Sequence, residues 1–154
     1  MNFGFSFVAL IFLIMLFVPN IIWAKNKPMD YEKYSNNENR TLSLIEKIGQ
    51  VSVVLFSLIF ADNIKPTPWL LILILAFVLM ILYELYWIKY FRGPKRMADM
   101  YSSFLGIPVA GATLPVLAFL LLGIYKMNFF LIISALILAV GHIGIHLDYE
   151  RQLN

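Results

Sequence analysis

Cysteine is absent from the 154 residues, histidine occurs twice, and only 14% of the side chains are charged. Without thiols there is no disulfide framework, no cysteine-ligated zinc or iron–sulfur centre and no thiol redox chemistry. The shortage of charge excludes more. A soluble domain carries about a quarter charged residues, whereas here 61% of the chain is hydrophobic and too few charges remain to wet a surface. The composition is that of an all-α integral membrane protein.

Apolar runs are what the sequence has in abundance. About 20 apolar residues cross a hydrocarbon core as a helix, and five such runs occur, at residues 3–23, 44–61, 68–91, 103–125 and 129–147. They are continuous rather than alternating, which points to helices and not to a barrel. The first ends at Lys25, Asn26, Lys27 and Pro28; it has no preceding basic residue and is long for a signal core, so it reads as a span rather than a cleaved leader. Ser43 with Glu46 three residues later has the spacing of a capping box for the second run. Thr67 and Pro68 mark the start of the third, and Asn128 caps the fifth. Five spans leave only loops, so residues 1–154 form one five-span bundle.

The basic residues orient it. Lys25, Lys27, Lys33, Arg40, Lys47, Lys89, Arg92, Lys95, Arg96 and Arg151 fall on one side, and only Lys65 and Lys126 on the other. Positive residues mark the cytoplasmic face. Loops 24–43 and 92–102 and the carboxyl terminus are therefore expected in the cytoplasm, with the amino terminus outside and the protein multi-pass in the cell membrane. This topology, together with attraction to anionic headgroups, accounts for the net charge of +3 without nucleic acid as a partner. It also leaves the Asn39–Arg40–Thr41 sequon on the cytoplasmic side, where it is unused. Tyr83, Tyr86, Trp87 and Tyr90 read as an aromatic belt at the headgroup level, as do Trp23 on the same side and Trp69 on the other.

Polar groups inside the runs are the candidates for function, because each is costly there. Asn20, Gln50, Glu84 and His142 lie at similar depth toward the cytoplasmic ends of four different helices, and His146 lies one turn beyond His142. Glu84 is the one charged residue between Thr67 and Ile88, with Lys47, His142 and His146 as candidate partners. His142 and His146 have the i, i+4 spacing of a chelating pair, but Ile143, Gly144 and Ile145 between them give no HExxH pattern, so a metal there is a weak expectation. Gly106, Pro108, Gly111 and Pro115 crowd the fourth run and suggest a kink or hinge. No cofactor fingerprint is present.

Three functions fit these features. One is a small binding or transport protein with a polar pocket toward the cytoplasm, completed as a homo-oligomer or within a larger membrane complex. Another is an accessory subunit whose polar layer fastens helices together. The third is an intramembrane enzyme acting on a lipid or lipid-linked substrate at the cytoplasmic interface, with or without a metal.

Overall fold

The computed structural model describes residues 2–35 and 38–153, and among these every regular element is helical. α1 spans Phe7–Lys25 and is followed by the short α2, Tyr31–Ser35; α3 spans Arg40–Leu58 and α4 Trp69–Arg92. A single turn, α5 at Met97–Met100, leads to α6 at Ala110–Lys126, and α7 runs over Phe129–Leu153. Four of these, α1, α3, α4 and α7, are long and apolar enough to cross a bilayer, and α6 is a shorter apolar helix.

Local chemistry sets the ends. Ser6 caps α1 by accepting from the Ala9 N–H at 3.1 Å, and Asn128 caps α7 by accepting from the Leu131 N–H at 3.1 Å. At α3 the cap is Asn39, whose side chain takes the N–H groups of Thr41 and Leu42. The Ser43–Glu46 capping box is therefore not used: the helix already starts at Arg40, and Glu46 is a turn and a half inside it. The fourth run is also shorter than its apolar composition implied. Residues 103–109 are a turn in which Phe104 and Ile107 exchange two backbone hydrogen bonds of 3.0 Å, with Leu105, Gly106 and Val109 at φ of 52°, 79° and 40°. Three residues in the left-handed region cannot continue a helix.

The five long helices alternate in direction, so the bundle has a basic end, with the α1–α3 and α4–α6 connections and the end of α7, and an opposite end. The core holds Phe12 against Phe77 and Phe119, with ring centroids 4.7 and 5.9 Å apart. α3 and α7 meet backbone to backbone. A Cβ on Gly141 would lie 2.3 Å from the Glu46 nitrogen, and one on Gly49 2.6 Å from the Leu138 Cα, so only glycine permits this approach. Tyr83, Tyr86, Trp87 and Tyr90 correct the expected belt. Their spacing puts all four on the inward face of α4, where they are buried; Tyr86 donates to the Met100 carbonyl and Trp87 stacks on Phe91.

At the opposite end the chain before α1 is stitched to the chain after α3. Gly4 N–H donates to Ile59 O, Ser6 N–H to Leu58 O and Ala61 N–H to Asn2 O, each at 3.0 Å. A cavity lies between α1 and α3.

Candidate functional site

The cavity has a volume of about 790 Å³ and draws its walls from all five long helices. Along α3 it extends from Glu46 to Leu58 and Ile59, which at 1.5 Å per residue is about 18 Å. The two ends of this length differ. Val54, Leu55, Leu58, Leu16, Val116 and Phe119 line the part toward the opposite end, while Asn20, Glu38, Glu46, Gln50, His142, His146 and Tyr149 line the part toward the basic end. The cavity is also open sideways. Phe17, Val51 and Leu55 belong to its lining, yet are 44%, 69% and 48% exposed on the flank of the bundle between α1 and α3.

Each polar side chain arrives for a local reason. Pro19 removes a backbone donor within α1, and beside it Asn20 Nδ2 donates to Leu16 O at 2.7 Å and to Tyr83 Oη at 2.8 Å. α7 is not a uniform helix. A π turn, Ala139–Ile143, carries His142, and the glycine contact at Gly141 draws this turn onto α3. His142 Nδ1 consequently forms a hydrogen bond with Glu46 Oε1, and Gln50 Nε2 donates to the same oxygen at 3.2 Å. Single π turns occur often at functional sites, where they re-aim a side chain.

His146 follows on α7 with its ring centroid 4.5 Å from that of His142 and 4.8 Å from that of Tyr101. Its Nδ1 is buried without a hydrogen-bond partner. Tyr149 stacks on Tyr101 at 5.0 Å and donates to Glu38 at 3.3 Å. Tyr31 stacks edge-on against Trp23 at 5.6 Å and closes the basic end of the cavity. Burial first, and then the Glu38 charge, hold the Tyr31 hydroxyl above the usual phenol range; burial also raises Tyr101. Both remain neutral hydroxyls, and the acidic side chains in the lining are Glu38 and Glu46.

Asn20, Gln50, His142 and His146 thus share one cavity, and Glu84 does not line it. Glu84 is half-buried on α4, and its Oε1 is buried without a partner. Neither Lys47 nor the two histidines pair with it: Lys47 is exposed and His142 is engaged by Glu46. Of the residues expected to form a hinge, Gly111 and Pro115 line the cavity from the first turns of α6, with Gly111 packed on the Tyr86 ring, whereas Gly106 and Pro108 belong to the preceding turn. Among the described residues no three His, Asp or Glu side chains converge as a metal site, so His142 and His146 have no third ligand.

Two participants were not singled out by the sequence reading. Glu46 had a capping explanation, and its partner His142 lies 96 positions away; the useful signal was that it shares a helix face with Gln50. The other is Lys126, at the opposite end. Its side chain is 4% exposed, and its Nζ reaches Asp62 at 3.2 Å, Ser6 Oγ at 2.7 Å, Phe60 O at 2.7 Å and Ser57 O at 3.4 Å. Ser6 Oγ in turn donates to Asp62 at 2.5 Å. This cluster ties α1, α3 and α6 together at that end. No family of known proteins, no curated protein and no solved structure matches this chain.

Proposed function

We propose that the protein is a five-span membrane protein, amino terminus outside and carboxyl terminus cytoplasmic, that binds a small amphipathic molecule in the cavity between α1 and α3. The observation that carries this reading is the polarity gradient along the cavity. An apolar tail fits the Leu16, Leu58 and Phe119 walls, and a polar head fits among Glu46, Gln50 and His142. Ligand pockets have volumes of roughly 300–1,000 Å³ and an apolar lining with a few convergent polar groups, and the cavity at about 790 Å³ meets both criteria. The opening flanked by Phe17, Val51 and Leu55 faces the direction in which bilayer lipid would lie, so the ligand enters from the membrane. The ten basic residues at one end orient that end toward the cytoplasm.

The enzymatic reading has the Glu46–His142 pair in its favour, since a carboxylate-oriented imidazole suits a general base. Against it, no serine, threonine or lysine lines the cavity among the described residues. The tryptophans supply a direct test of binding. Trp23 and Trp87 line the cavity and Trp69 does not, so in a Trp69→Phe background a bromine-labelled amphiphile should quench fluorescence saturably. Val54→Phe, which fills the apolar half, should weaken that quenching about tenfold, or about 1.4 kcal/mol. Quenching that does not saturate, or that is equal in the two proteins, would remove the binding reading.

A further inference from the structure

Charge is distributed at the basic end in a way that topology does not explain. Ten of the twelve lysines and arginines lie at this end, yet among the described residues neither type occurs in the cavity lining. The charged groups that do line it are two carboxylates, Glu38 and Glu46, brought from the loop before α3 and from α3 itself. Around them stand the aromatic side chains Trp23, Tyr31 and Tyr149. Gln50 and His142 donate to Glu46, and Tyr149 to Glu38, which fixes both carboxylates in place as acceptors.

We infer that the cavity takes a cationic amphiphile, a quaternary ammonium or protonated amine on an apolar chain, with Glu46 and Glu38 as its counter-ions and the aromatic rings as its walls. This rests on the reading of the cavity as a binding site and specifies what it holds. An anionic head in the same place would meet the half-buried Glu46 and the exposed Glu38, with no lysine or arginine in the lining among the described residues. A cationic head gains both carboxylates and, from the ring faces, the attraction of the aromatic quadrupole. The protein uses this last interaction already: Lys27 Nζ lies 4.6 Å from the centroid of the Tyr31 ring.

The test is the quenching measurement with three bromine-labelled probes sharing one dodecyl chain, headed by trimethylammonium, phosphocholine or carboxylate, on the full chain in neutral detergent. The trimethylammonium probe should bind about tenfold more tightly than the carboxylate probe. Glu46→Gln and, separately, Glu38→Gln should each reduce trimethylammonium binding several-fold and leave carboxylate binding unchanged or improved; Glu38 is exposed, so its variant folds even if the Glu46 variant does not. Phosphocholine binding as tight as that of trimethylammonium identifies the cation as a lipid headgroup; weaker binding identifies a free cationic amphiphile. Saturable quenching that is indifferent to the head, or strongest for carboxylate, overturns the cation and leaves the cavity as a binding site. Absence of saturable quenching by all three removes the binding reading itself.

Discussion

The Lys126 ammonium is taken out of solvent by the bundle and given Asp62, Ser6 Oγ and two backbone carbonyls in return. Removing one member of a buried ion pair costs about 3–5 kcal/mol because the other is left uncompensated. Asp62→Ala leaves Lys126 its serine and carbonyl acceptors, so the lower figure applies, and the apparent Tm in detergent should fall by roughly 6–12 °C. Asp62→Leu combined with Lys126→Met should recover part of this loss; an additive loss would show that packing, not charge, holds the clamp. Its pH dependence follows from Asp62. Burial alone would raise this carboxyl, but hydrogen bonds from Ser6, the Val8 N–H and Lys126, with the Lys126 charge, outweigh it and hold the group below its ordinary value of 3.8. A carboxyl depressed in the folded state contributes stability that is complete above the unfolded-state value and is lost as the pH falls through the folded one. Thermal stability should therefore be flat from neutral pH down to about 5 and decline below about 4 in the parent protein, with a shallower decline in the Asp62→Leu, Lys126→Met protein. None of this was legible in sequence. Lys126 reads as an ordinary loop lysine, and its partner is 64 positions away.

At the scale of the element, the apolar runs were a sound guide to where helices lie and a poor one to where they begin. Composition cannot separate an apolar turn from an apolar helix, so residues 103–109, with Leu105 and Val109 in the left-handed region, read as part of the fourth run. Nor does composition reveal the π turn in α7, whose cause is tertiary: the helix accommodates an α3 backbone that presses on Gly141. Gly141→Ala introduces a methyl group 2.3 Å from the Glu46 nitrogen, with backbone rather than a flexible side chain in the way. Over-packing of this kind costs about 1–3 kcal/mol. It should also separate His142 from Glu46, so the variant should lose ligand-probe quenching together with thermal stability. Gly106→Ala is the control: φ of +79° strains any side chain there, but nothing lies within 4 Å, so stability should fall slightly and quenching remain. Equal loss of quenching in both would separate the cavity from the α3–α7 contact.

For the whole molecule, the alternation of five helix directions follows from pattern alone, because each apolar run is bounded by polar punctuation such as Asn26–Pro28 or Asp62–Asn63. The cavity does not follow from pattern. Its walls are assembled from side chains on five helices, which no single position encodes. The helix with most at stake is α6. Its 17 residues make about 26 Å, slightly less than the roughly 30 Å of a hydrocarbon core, and its direction decides whether Lys65 and Lys126 share a side. The missing cysteines make this directly measurable, since any introduced thiol is the sole reactive one. Single variants Lys33→Cys, Lys65→Cys, Lys95→Cys and Met127→Cys should divide under a membrane-impermeant maleimide on intact cells, with positions 65 and 127 labelled and positions 33 and 95 labelled only after permeabilisation. Labelling of 33 and 95 in intact cells, with 65 and 127 protected, would invert the orientation. Protection of 127 alongside 33 and 95 would mean that α6 does not cross, leaving Lys126 and Asp62 on opposite sides of the membrane; their 3.2 Å ion pair requires them on the same side.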